Sequence, residues 1–217
     1  MKALKQKEKS MLTKYRIIQA ALKEFSEYNY DNSSINRICS NGNIPKGVMY
    51  HYFKDKDELY LLCIKYCYDS MCNYYKTFLQ NYNAHDDLKM WVKKYFEIRY
   101  KFFYENPLLK KLHFHTILRG PVKLSKEIES IYLPLRQLNH NFALTILSNV
   151  KLKKNLSIDE VIKLLDIIQN ILNEKFHSKL ENNNLDSLSI EYEKEAIKWV
   201  DILLFGILDN DESKTIN

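Results

Sequence analysis

The run Lys46-Gly47-Val48-Met49-Tyr50-His51-Tyr52 gathers more usable chemistry than any other stretch of the chain. A lysine ammonium donates to guanine edges or to phosphate, a glycine permits close backbone approach, and a valine methyl can touch the methyl of thymine. Tyr50, His51 and Tyr52, with Lys54 and Lys56 just beyond, are donors suited to phosphate oxygens. Other chemistries lack their residues. There is no Gly-rich phosphate loop, nucleophile elbow or metal-hydrolase helix, so no enzymatic activity is expected. Of the four cysteines, Cys63, Cys67 and Cys72 fall on one expected helix without zinc spacing. They read as buried thiols. His113 and His115 sit two apart, on different faces of a helix, and make a poor metal pair. No metal and no cofactor are expected.

Charge singles out the same region. Up to Lys56 there are eleven Lys and Arg against five Asp and Glu, an excess equal to the net charge of +6 for the whole protein. A basic quarter on a neutral remainder fits a nucleic-acid-binding head, and equally a solvated lysine-rich surface. Lys2, Lys5, Lys7 and Lys9 are open to both readings: an arm laid against DNA, or a solvated tail.

These residues must be positioned by helices. Four Gly and four Pro in 217 residues are too few for the turns of a barrel or sandwich. At 46% hydrophobic and 28% charged, the chain can build a core. No apolar run approaches the roughly 18 residues that cross a bilayer, and Met1-Lys2-Ala3-Leu4-Lys5 opens no signal peptide. A soluble, cytoplasmic, all-α protein without membrane contact is expected. Breaks at Asn29 to Asn32, Ser40 to Asn43, Asn81 to Asn83, Asn106-Pro107, Arg119 to Pro121, Lys153 to Ser157 and Asn182 to Asn184 leave about nine helices. Three short ones fall within 13–53 and six within 55–208, with a polar tail from Asp209.

The first helix aligns Ile17, Ile18, Ala21, Leu22 and Phe25. Ser33 or Ser34 can cap the second, which buries Ile35, Ile38 and Cys39. Gly42-Asn43 are types that tolerate a left-handed turn, Ile44 plugs it, and Pro45 suits the first turn of a third helix, where Met49 and Phe53 are core positions. Two short helices joined by a tight turn behind a packing helix form a helix-turn-helix, whose second helix enters the major groove by its N-terminal end.

Ser33-Ser34-Ile35-Asn36-Arg37-Ile38-Cys39 and Ile44-Pro45-Lys46-Gly47-Val48-Met49-Tyr50-His51-Tyr52-Phe53-Lys54-Asp55-Lys56-Asp57-Glu58-Leu59 resemble the DNA-binding head of TetR/AcrR transcriptional regulators over roughly residues 13–60. Gly42, Asn43 and Cys39 depart mildly from the usual Ala, Gly and Ala. The resemblance implies a three-helix helix-turn-helix DNA-binding domain at 1–54 and a six-helix effector-binding and dimerisation domain at 55–217. It implies that Lys46, Gly47 and Val48 face bases, while Ser34, Tyr50, His51, Tyr52 and Lys56 hold phosphates. It further implies a homodimer on a palindromic double-stranded DNA operator, most often as a repressor released by a small hydrophobic or aromatic effector. The alternative is a TetR-like interaction protein, a co-activator or division regulator, without small-molecule induction.

In the body, Leu59, Cys63, Tyr66, Cys67, Ser70, Tyr74 and Phe78 predict the apolar arc of the fourth helix. The fifth is aromatic, with Trp91, Tyr95, Phe96, Phe102 and Phe103. The seventh aligns Leu124, Ile128, Ile131, Leu135, Leu138, Phe142 and Ile146, with Pro134 predicting a kink. Arg99 falls within the stripe of Val92, Tyr95, Phe102 and Phe103, which requires either an internal ion pair, a route to solvent, or an anionic ligand. The candidate effector residues are therefore Arg99, Tyr95, Phe102, His115, Tyr66 and Trp91. His115 is also readable as a core histidine behind Leu108 and Leu112. Helices 8 and 9 carry apolar residues around half their circumference, from Val161 to Leu172 and from Ala196 to Leu208, which predicts a dimer face. Asp166, Asn170, Asn173 and His177 read as a solvated face.

Overall fold

A computed structural model describes residues 2–80, 88–180 and 184–207. The described residues form an all-α fold: α1 (Lys2–Tyr28), α2 (Ile35–Asn41), α3 (Lys46–Tyr52), α4 (Lys56–Leu79), α5 (Leu88–Glu105), α6 (Pro107–Arg119), a 3-10 turn (Val122–Leu124), α7 (Ser125–Leu147), α8 (Ile158–Lys179) and α9 (Leu185–Ile207). None of these helices is long and apolar enough to cross a membrane. The expected breaks at Asn81-Tyr82-Asn83 and Asn182-Asn183, Leu208 and the tail from Asp209 lie outside the described residues, as do the side chains of Lys2, Lys5 and Ile207.

The chain forms two compact units, residues 1–71 with 102–133 and residues 72–101 with 134–217. In the first, Ile17, Ala21, Leu22 and Phe25 make the buried seam of α1, while Ile18, expected on the same face, is half-buried. Phe25 meets Tyr60 of α4 edge-on at 5.0 Å, and the Tyr60 hydroxyl bonds the Thr116 hydroxyl of α6 at 3.2 Å. The helix-turn-helix closes on this seam through Ile38, Ile44, Met49 and Phe53, all buried. In the second unit, Trp91 packs with Phe142, Ala143, Ile146, Leu147, Val161 and Leu204. There α8 opens on a reciprocal Ser157–Glu160 capping box, and α8 and α9 meet through Phe176 and Tyr192, ring centroids 5.2 Å apart.

Four expectations need correction. The first helix is long, not short: it opens at Lys2, because nothing in Lys2–Leu12 breaks a helix and its Lys, Glu, Gln and Leu all favour one. Of the turn pair, only Asn43 is left-handed, with φ 49°; Gly42 has φ −85°. Gly42 is instead required for close approach, since a Cβ there would lie 2.5 Å from Ile44 Cδ1 and 2.9 Å from Ala20 Cβ. On α4 the buried face turns toward Tyr60, Ile64, Tyr68 and Met71, and Tyr66 is 44% exposed. That helix is apolar around much of its circumference, and the arc with the larger side chains buries more area. Asn173 is not merely a solvated residue, because it accepts a hydrogen bond from the Tyr192 hydroxyl at 2.7 Å. As for Pro134, α7 runs through it without interruption.

Gly42→Ala forces its new methyl against Ala20 and the Ile38 carbonyl, neither of which can swing aside. Overpacking of this kind costs about 1–3 kcal/mol. The expected result is a lowered melting temperature with helical content retained. An unchanged melt would show that the approach of α2 to α1 is not tight.

Candidate nucleic-acid interface and effector residues

The loop before α2 is built from local hydrogen bonds. Ser34 is the N-cap: its Oγ accepts from the Asn36 N–H at 3.2 Å, while Ser33 is buried and donates to the Tyr30 carbonyl at 2.7 Å. Glu24 of α1 is 1% exposed, and its Oε1 accepts from both the Ser34 N–H and the Arg37 Nε, each at 2.8 Å. Arg37 lies over the Tyr28 ring at 4.4 Å. On the other side of the motif, Arg16 donates to the Gly42 and Asn43 carbonyls at 3.1 Å each. That clamp fixes the turn from which α3 starts.

A second network ties this loop to α4 and the 3-10 turn. The Tyr30 hydroxyl donates to Asp57, and Lys123 bonds both Asp57 oxygens at 2.6 and 2.8 Å. The Lys123 hydrogen bond, followed by that of Tyr30, holds the Asp57 carboxyl below its ordinary range. Lys56 donates to the Tyr30 carbonyl at 2.8 Å and to the Ser33 carbonyl at 3.4 Å, with its ammonium 4.1 Å over the Tyr30 ring. Partial burial depresses its pKa. Lys56, expected at a phosphate, thus has two of its three donors on the loop that carries Ser34.

On α3, Lys46, Gly47, Tyr50 and His51 are exposed and Val48 is half-buried. Apart from its chain neighbours and its own helix backbone, no atom lies within 4 Å of where a Gly47 Cβ would be, so the backbone there is open to a partner. The Tyr52 ring stands edge-on to His51, and its hydroxyl donates to Ser10 of α1 at 2.9 Å. Ser34, Lys46, Gly47, Val48, Tyr50, His51, Tyr52 and Lys56 all belong to the first unit. The residues missed from sequence are Glu24, Arg16 and Ser10. Glu24 carried a signal: it stands three residues after Ala21 on an apolar face. Nothing in the spacing of Arg16 or Ser10 marks them.

The expected effector residues divide between the two units. Tyr66, Phe102 and His115 belong to the first unit; Trp91, Tyr95 and Arg99 belong to the second. Phe102 is 2% exposed beside Phe103. The His115 imidazole is pushed toward the neutral form by burial, against a hydrogen bond with the Ser26 backbone. His113 is the more deeply buried histidine, at 2%, between the rings of Tyr68 and Phe103. Trp91 is a core residue, and Tyr95 stacks on Phe142 at 5.5 Å while donating to Asn139 Oδ1 at 2.9 Å. Arg99 makes an internal ion pair, its Nε 2.9 Å from Glu193 Oε1, with the two side chains 14% and 17% exposed. Burial opposes the Arg99 charge, and Glu193 with Tyr75, Tyr95 and Tyr192 outweighs it, so the proton is held more firmly than usual. A groove of about 580 Å³ lies elsewhere in the second unit, between α5 and α9, walled by Leu88, Val92, Phe96, Tyr100, Ile197, Leu204 and Phe205. None of the six expected effector residues lines it. The four cysteines are buried, and burial raises the Cys63 and Cys67 thiols.

Residues 17–63 match the model of bacterial regulatory proteins of the tetR family. Over 152 residues, 68% of this chain, the sequence is 31% identical to the uncharacterized HTH-type transcriptional regulator YuxN of Bacillus subtilis, of which the match covers 47%. Over 74 residues it is 34% identical to the biofilm operon icaADBC HTH-type negative transcriptional regulator IcaR of Staphylococcus epidermidis, covering 34% of this chain and 37% of that protein. The chain thus spans about half, or less, of the length of these curated relatives. Residues 17–63 thus carry the head of a TetR-family regulator. The fold agrees: a TetR family regulator from Chloroflexus aurantiacus superposes with a TM-score of 0.59 at 21% identity, over 92% of this chain and 94% of that one. FadR of Bacillus subtilis, solved in complex with stearoyl-CoA, superposes with a TM-score of 0.61 at 14% identity, over 84% of this chain and 97% of its own.

The Arg99 pair can be broken from one side or removed whole. Arg99→Met strands Glu193 and is expected to cost about 3–5 kcal/mol, whereas Arg99→Met with Glu193→Leu should return close to wild-type stability. Denaturant unfolding of the wild type, both single variants and the double variant measures the coupling. Equal stability of Arg99→Met and wild type would show that the pair holds nothing.

Proposed function

We propose that this TetR-family protein is a transcriptional repressor that binds a palindromic duplex operator as a homodimer and is released by a small apolar or aromatic effector. The observation that carries the reading is the N-terminal end of α3. Lys46, Gly47 and Val48 project from a rigid turn, with Tyr50 and His51 exposed behind them and Ser34 capping the neighbouring helix. Such a helix end presents a base-reading lysine and a methyl to the major groove, while the flanking donors fix the register on phosphates. Functionally the division is 1–54 for DNA and 55–217 for effector and dimer. The IcaR relative, a negative regulator, supports the sign.

The dimer face is proposed on α8 and α9, where Ile167, Ile171, Trp199 and Ile202 are between 42% and 55% exposed. Apolar side chains that stand this far out of a helix pair call for a covering partner. A folded protein that sediments as a monomer at micromolar concentration would remove that part of the reading. For the effector, the α5–α9 groove is the better place, because Arg99 is paired and Trp91 and Tyr95 are packed. Its volume of about 580 Å³ suits a small molecule, and its wall is mostly apolar, with Lys89, Lys93, Glu97 and Asp201 also lining it. The stearoyl chain of the ligand in the FadR structure is likewise apolar.

The test uses the duplex upstream of the protein's own gene. Lys46→Ala should lower affinity for it by roughly 1–3 kcal/mol, about 5- to 150-fold, with a smaller loss on random duplex of the same length. Equal loss on both would make Lys46 a phosphate contact. An unchanged affinity would take α3 out of the interface.

A further inference from the structure

From Gln6 to Arg16 no side chain is buried, yet the helix is continuous with the seam that starts at Ile17. It is held beside the recognition helix by named contacts. The Tyr52 hydroxyl bonds Ser10 Oγ at 2.9 Å, the Lys14 ammonium lies 5.8 Å over the Phe53 ring, and Arg16 grips the turn before α3. Between α1 and α3 runs a groove of about 770 Å³, with Lys7, Lys9 and Ser10 on one wall and Gly47, His51 and Tyr52 on the other. No carboxylate lines it. Glu8, the acid of this stretch, is absent from the lining and by helical spacing falls on the far side of α1 from Ser10.

We infer that this groove holds a sugar-phosphate strand of the same duplex that α3 reads, with Lys7 and Lys9 each neutralising a phosphate. The inference rests on the DNA-binding reading of α3 and extends it to a second element. A groove that offers ammonium groups and hydroxyls, and no acid, accepts an anionic strand and repels a cationic one. The Tyr52–Ser10 bond fixes its position against the recognition helix. Tyr52 therefore serves phosphate binding as a positioning residue, by tying α1 in place, with its hydroxyl already engaged. Neither lysine bears on a base, so the contribution is to affinity and not to sequence choice.

Lys7→Ala with Lys9→Ala is the variant to make. Both side chains are exposed and alanine favours a helix, so the fold is kept. The measurement is the salt dependence of binding to the upstream duplex and to a random duplex. Each lost phosphate contact should flatten the slope of log affinity against log salt by about 0.9. The double variant should therefore be shallower by nearly 2, with the ratio of specific to random binding unchanged. A control pair, Lys126→Ala with Lys153→Ala, removes the same charge from exposed positions that do not line the groove. It should leave the slope alone. A wild-type slope in the Lys7/Lys9 variant overturns the inference, as does an equal flattening in the control. If the wild-type protein binds neither duplex, the DNA reading itself fails and the groove with it.

Discussion

The buried seam of α1 is the constraint on which the first unit depends. Ile17, Ala21, Leu22 and Phe25 occupy one helical face and are almost fully enclosed. Full burial of each of the larger ones is worth about 1.5–3 kcal/mol. That face must satisfy two sets of neighbours together. The helix-turn-helix closes on it through Ile38, Ile44 and Met49, while Phe25 passes the packing on to Tyr60 and so to Thr116 of α6. The direction of α3 is thus inherited from α1. An error in the seam would turn Lys46 and Val48 away from any common surface with Ser34.

A buried carboxylate sits inside this seam. Glu24 is costly to bury, and what offsets the cost is a backbone N–H and a guanidinium on the same oxygen. Arg37 is 44% exposed, so solvent screens the ionic part. The hydrogen bond to the Ser34 N–H is the better-shielded half, and it joins α1 directly to the first turn of α2. The Tyr30–Asp57–Lys123 network acts on the same loop from the opposite side, through Lys56 and the Tyr30 and Ser33 carbonyls. Three elements therefore converge on the six residues that precede α2.

The head was legible because its signals are local. A capping serine, a Gly-Asn turn and a Pro before seven helical residues each constrain their own neighbours, and the spacing of Ile17, Ala21 and Phe25 is regular. The polar contacts that hold the head were not legible, since Arg16–Gly42, Glu24–Arg37 and Tyr52–Ser10 join residues 13 to 42 apart. Only the buried position of Glu24 was foreshadowed. In the body, Arg99 was marked as needing a partner, but Glu193 stands 94 residues away and periodicity cannot select it. Tyr66 misled because α4 offers more than one apolar arc, and the choice between them belongs to the neighbours. The α5–α9 groove was invisible for the same reason: it is a gap between two helices that are each unremarkable alone.

The central claim is that α3 reads base edges in a duplex, and that it does so twice in one dimer. Selection of bound duplexes from a random-sequence library by the intact protein tests this most directly. The expected result is enrichment of a single motif present as two inverted copies at one fixed spacing. Recovery of duplexes with no enriched motif, at any salt concentration that permits binding, would contradict it.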